Sequence, residues 1–129
     1  MPDQGDKSKS VYVVDDDRDV LDSLAFLLPV LGYDCRTFNG PQDFLAAAAG
    51  LETGCILSDL RMPGIDGFSL AAAVTQSGLG WPMLMMSSDR DPEIAERSLE
   101  AGFLAFLRKP VCGDLLADAL DRAFATLRG

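Results

Sequence analysis

The sequence predicts an α/β domain in which five strand-then-helix repeats wind into a doubly wound parallel sheet. Three observations carry that prediction. Short apolar, β-branched runs alternate with stretches whose apolar residues recur at helical spacing. The runs begin near positions 10, 33, 54, 83 and 103, which leaves room for one helix between successive strands. Finally, 129 residues, about half of them hydrophobic, suit one domain around one core. Strands separated by single helices must run parallel, since each return needs a crossover, and such sheets are covered on both faces.

Residues 1–9 are polar and aperiodic and are expected to form a flexible tail before a domain over residues 10–129. Residues 10–14 form the first buried strand, stopped by Asp15, Asp16 and Asp17. Asp17 is placed to cap a helix whose inner side is Val20, Leu21, Leu24, Leu27, Leu28 and Leu31. Pro29 lies inside that pattern, where a missing donor predicts a kink or an early end. Residues 33–38 make a more polar strand, expected at an edge. After the turn at Asn39 and Gly40, residues 42–49 form a short helix closed by Gly50.

Residues 54–58 form the third strand, followed by Asp59 and a turn rich in glycine and proline. An alanine-rich helix covers residues 68–77, and the fourth strand covers 83–86, ending at Ser87 and Ser88. Asp91 caps a helix over residues 92–101 that has proline at its first position. The fifth strand is expected over residues 103–107, running into Arg108, Lys109 and Pro110. A last amphipathic helix spans residues 113–127. The strand order 2-1-3-4-5 is the natural one for this architecture, with its crevice between strands one and three.

Composition removes several functions. The net charge of -9 has the wrong sign for gripping a nucleic acid backbone. No histidine is present, so Ser-His-Asp and Cys-His catalysis and histidine metal ligation are excluded. Neither the dinucleotide-binding nor the nucleotide-hydrolysing glycine motif occurs. No apolar run approaches the roughly 20 residues that span a bilayer, and no secretory leader pattern opens the chain, so a cytoplasmic protein without a membrane partner is expected. Cys35, Cys55 and Cys112 are expected to be buried free thiols.

The polar residues that close the strands carry the chemistry. Asp15 and Asp16, Asp59, Ser87 and Lys109 all fall on one edge of a parallel sheet. Three crowded carboxylates repel unless a cation is supplied, and an oxygen-only ligand set suits Mg²⁺. Three carboxylates, one Mg²⁺ and Lys109 sum to zero formal charge, and an aspartyl phosphate at Asp59 would lower the sum only to minus one. That count favours phosphoryl transfer onto Asp59, with Ser87 able to donate to a phosphoryl oxygen that is absent beforehand.

Four segments now resemble a known family. Val-Val-Asp-Asp at 13–16, Ser-Asp-Leu-Arg-Met-Pro-Gly-Ile-Asp-Gly at 58–67, Ser87, and Arg-Lys-Pro at 108–110 resemble the receiver domains of bacterial two-component response regulators. The likeness extends from about residue 11 to residue 127. With Ser-Leu-Ala-Phe at 23–26, the FixJ-type receivers are the most similar. The resemblance implies a flavodoxin-like (βα)5 fold and a signalling role rather than a turnover enzyme. Asp59 would be the phosphoacceptor, served by a sensor histidine kinase. Asp16 would ligate Mg²⁺ directly, Asp15 through water, and Arg61 through its backbone carbonyl. Lys109, preceding a cis bond to Pro110, would contact the phosphoryl group.

The spacing of 22 residues from Ser87 to Lys109 matches the family and selects Ser87 over Ser88 as the switch hydroxyl. Phe106 would be the switch aromatic, although core packing alone also accounts for it. Arg61 and Asp89 would tune dephosphorylation. The face built from the fourth helix, fifth strand and fifth helix would mediate homodimerisation and control an output, whether the chain acts alone or precedes another domain. Val111 departs from the phenylalanine common at that position. Two other functions are open to the same residues: a Mg²⁺-dependent phosphatase with an aspartyl nucleophile, and an interaction module that is never phosphorylated.

Overall fold

The computed structural model describes residues 9–128; residues 1–8 of the expected tail lie outside them. Five strands, β1 (Ser10–Asp15), β2 (Asp34–Asn39), β3 (Gly54–Asp59), β4 (Met83–Ser87) and β5 (Ala105–Arg108), alternate with five helices. These are α1 (Arg18–Val30), α2 (Pro41–Ala47, continued by a 3-10 turn over Ala48–Gly50), α3 (Gly67–Ser77), α4 (Pro92–Glu100) and α5 (Gly113–Arg128). The sheet is parallel throughout in the order β2-β1-β3-β4-β5, as expected, with the polar β2 at one edge.

Alternation along the strands divides the core into two layers. Val11, Val13, Cys55, Leu57, Leu84 and Met86 point to one face and pack with Leu21, Leu24 and Leu28 of α1 and Leu116, Leu120 and Phe124 of α5. Tyr12, Val14, Ile56, Met83 and Met85 point to the other, against Phe44 of α2, Leu70 and Val74 of α3 and Ile94 of α4. At the amino ends of the strands, Trp81 stacks on Tyr12 at 5.6 Å, and the Tyr12 hydroxyl donates to the Glu52 carbonyl at 2.6 Å.

Three expectations are corrected. Pro29 does not end α1 early, because it stands one residue from the end of the helix and removes a single bond there. The N–H groups of Leu31, Gly32 and Tyr33 still return to carbonyls of the last turn. β5 begins at Ala105 rather than Phe103: the Phe103 N–H is used to close α4 on the Ser98 carbonyl at 3.0 Å and cannot enter the ladder. Of the three free thiols, Cys55 is buried and Cys35 half-buried, but Cys112 is exposed on the connection into α5. Burial pushes the Cys55 thiol up to about 12 and the Cys35 thiol up to about 11.

Candidate functional site

The sheet brings the predicted residues together at its carboxyl edge. Asp15 ends β1, Asp59 ends β3 and Ser87 ends β4, while Lys109 follows β5 directly. The chain leaves β1 for α1 on one face and leaves β3 for α3 on the other. The two departing loops therefore part and leave a crevice between β1 and β3.

Gly67 sets the depth of Asp59. Its N–H donates to the Leu60 carbonyl at 2.7 Å, and a Cβ at this position would lie 2.7 Å from the Asp59 carbonyl oxygen. Asp66 caps α3 by accepting from the Ser69 N–H at 2.8 Å.

Lys109 joins the carboxylates. Its Nζ lies 2.9 Å from Asp15 Oδ2 and 2.9 Å from Asp59 Oδ1. Asp15 is fully buried, and its other oxygen accepts from the Asp17 N–H at 3.0 Å. Asp59 is 7% exposed, whereas Asp16 is exposed. Burial, helped by the charge of Asp15, pushes the Asp59 carboxyl up to about 6 against the opposing pull of Lys109. For Lys109, burial would lower the pKa, but its hydrogen bonds to Asp15 and Asp59 prevail and raise it.

Oxygens from Asp15, Asp16 and Asp59 lie within 4.8 Å of one another, so the three can share one ion. The donor set is oxygen alone and only partly buried. That suits a hard cation that keeps water, which makes Mg²⁺ fit these residues.

Beyond the carboxylates, an open cavity of about 260 Å³ is lined by Asp59, Arg61, Ser87, Ser88, Asp89 and Lys109. Ser87 is buried and its Oγ accepts from the Asp89 N–H at 3.0 Å, while Ser88 is exposed. Arg61 does not stand free: its Nε donates to Asp89 Oδ2 at 3.2 Å, and this ion pair holds the Asp89 carboxyl below its usual range. Phe106 is half-buried against the core layer of Tyr12 and Ile94.

One participant went unread in the sequence. Arg108 donates from Nη1 to the Asp89 carbonyl at 2.8 Å and lies over the Phe106 ring. The bond spans 19 residues and ends on a backbone atom, so no side-chain pattern announces it. The Arg61–Asp89 pair had a signal, since opposite charges stand two residues beyond Asp59 and two beyond Ser87.

Comparisons with known proteins agree with this geometry. Residues 11–121 match the response regulator receiver domain. The transcriptional regulatory protein FixJ of Bradyrhizobium diazoefficiens is 38% identical over 113 residues, covering 88% of this chain and 55% of that protein. The transcriptional regulatory protein TdiR of Thauera aromatica is 35% identical over 121 residues, covering 94% of this chain and 53% of its own. The chain thus spans about half the length of the curated relatives it matches. Among solved structures, that of FixJ-N superimposes with a TM-score of 0.83 at 29% identity, covering 95% of this chain and 94% of the other. Full-length FixJ from B. japonicum gives a TM-score of 0.84 at 37% identity, covering 91% of this chain and 58% of that one. On its sequence, fold and clustered carboxylates, the chain belongs to the response regulator receiver domain family.

Proposed function

We propose that Asp59 is the phosphoacceptor of a two-component switch. The observation that carries this reading is the pair of 2.9 Å contacts from Lys109 to Asp59 and Asp15. They fix the nucleophilic carboxylate at the mouth of a polar cavity, with a cation beside it to receive charge from the incoming group. The Asp59 oxygen attacks phosphorus, the bond from phosphorus to the donor's imidazole nitrogen breaks, and the imidazole leaves with the electron pair. Asp15, Asp16, Asp59 and the Arg61 carbonyl would hold Mg²⁺, which when bound neutralises charge on the phosphoryl oxygens.

Lys109 keeps Asp59 ionised and oriented. Ser87, buried beside the cavity, donates a hydrogen bond from its hydroxyl to a phosphoryl oxygen, and Phe106 responds to its movement. The donor is a sensor histidine kinase in the cytoplasm. The output surface comprises α4, β5 and α5, where Leu99 of α4, Leu104 just before β5 and Leu115 of α5 are exposed to solvent. Control of transcription, the activity in the names of FixJ and TdiR, is the output expected of a longer protein containing this domain. Arg61 stands where an aspartyl-nucleophile phosphatase wants an acid, and its guanidinium is paired with Asp89, so turnover of an external ester is not part of the proposal.

Incubation with Mg²⁺ and phosphoramidate tests the reading by intact mass. The expected result is one added phosphoryl group, absent from Asp59→Asn. A wild-type mass that does not change with phosphoramidate or acetyl phosphate would overturn it.

A further inference from the structure

We propose that Arg108 is a positioning residue of the switch: it ties the Phe106 ring to the loop that carries Ser87 and so favours the arrangement seen here. The inference rests on the phosphoacceptor reading above and deepens it. Strand alternation puts Phe106 and Arg108 on one face of β5, while Lys109, one residue on, reaches Asp59. In the sheet register Arg108 lies opposite Ser87. From there its guanidinium makes two contacts, donating to the Asp89 carbonyl at 2.8 Å and sitting 5.7 Å from the centre of the Phe106 ring.

Asp89 is the point where the connections meet. Its N–H donates to Ser87 Oγ at 3.0 Å, its Oδ1 accepts from the Asp91 N–H at 2.9 Å, its Oδ2 accepts from Arg61, and its carbonyl accepts from Arg108. One loop residue is thus held by the switch hydroxyl, the start of α4, the loop after Asp59, and β5. A movement of Ser87 toward a phosphoryl group displaces the Asp89 peptide and stretches the bond to Arg108. The converse also holds. While Arg108 keeps that bond, the loop and the ring resist the rearrangement together, and the fraction of molecules ready for phosphorylation is lowered.

A single charge-assisted bond at the surface is sufficient to change that fraction by about threefold to tenfold. The direction discriminates. Arg108 is a cation near a site that takes an anionic donor, so a purely electrostatic role predicts that its removal slows phosphorylation. Release of a restraint predicts that removal speeds it.

The test compares wild type with Arg108→Ala, each as the whole chain with Mg²⁺ and phosphoramidate, following added mass against time. The second readout is fluorine NMR of fluorophenylalanine-labelled protein, with the Phe106 signal identified by its loss in Phe106→Leu. The expected result is a threefold to tenfold faster appearance of the phosphorylated species in Arg108→Ala. Its Phe106 signal is also displaced, before any donor is added, toward the wild-type position in beryllofluoride. A rate equal to or below that of wild type, or a Phe106 signal unmoved by the substitution, would overturn the assignment. If wild type itself takes up no phosphoryl group, the reading of Asp59 fails. If wild type is modified and Arg108→Ala is no faster, the role of Arg108 alone fails.

Discussion

The burial of Asp59 carries a cost. Its carboxyl is raised from an ordinary value of 3.8 to about 6, so ionising it is harder in the folded chain than in the unfolded one. The resulting destabilisation is absent below 3.8, grows as pH rises, and is complete above about 6. Asp59→Asn, which cannot ionise, is therefore expected to be more stable than wild type at pH 7 by roughly 1–3 kcal/mol. Thermal melts in chelator should show that advantage shrinking as pH falls through 6 toward 4. A gap that stays constant over that range would refute the account. Lys109 moderates the cost without cancelling it, being shared between Asp59 and the fully buried Asp15.

At the scale of elements, the site depends on how closely α3 approaches the end of β3. A Cβ on Gly67 would meet the Asp59 carbonyl oxygen at 2.7 Å and the Met85 methyl at 3.0 Å, and neither backbone nor packed core gives way easily. Gly67→Ala should destabilise the fold by about 1–3 kcal/mol in urea denaturation and lower phosphoryl uptake, because the clash falls on the peptide that carries Asp59.

The sequence made the order of elements legible, along with the caps at Asp17 and Asp91, because hydrophobic period and capping chemistry are local. The same is true of the strand-end residues Asp15, Asp16, Asp59, Ser87 and Lys109, which a parallel sheet must gather on one edge. The start of β5 was not legible: whether the Phe103 N–H serves the ladder or the end of α4 depends on which carbonyl it reaches in the folded chain, and it reaches that of Ser98, five residues earlier. Exposure of Cys112 and the bond from Arg108 to Asp89 were hidden for a related reason, being set by how a loop lies on its neighbours.

In the whole molecule, the two helices of the α4, β5 and α5 face are unequally secured. α5 buries Leu116, Ala119, Leu120, Ala123 and Phe124, whereas α4 buries only Ile94 and Ser98. The helix beside the Ser87 loop is thus the one with least to lose by shifting, and a face that contains it can change shape at small cost. Leu99 of α4, Leu104 just before β5 and Leu115 of α5, at 58, 38 and 59% exposure, occur along that face. Beryllofluoride is expected to raise the mass seen by light scattering toward that of a dimer, and Leu99→Arg to prevent the rise. An unchanged wild-type mass would count against dimerisation through this surface. The stack of Trp81 on Tyr12 has an optical consequence. The chain's single indole is planted at the amino ends of the strands, the edge opposite Asp59. Its emission therefore reports the melting of the sheet and is nearly blind to chemistry at the other edge, so intrinsic fluorescence separates loss of fold from change of signalling state.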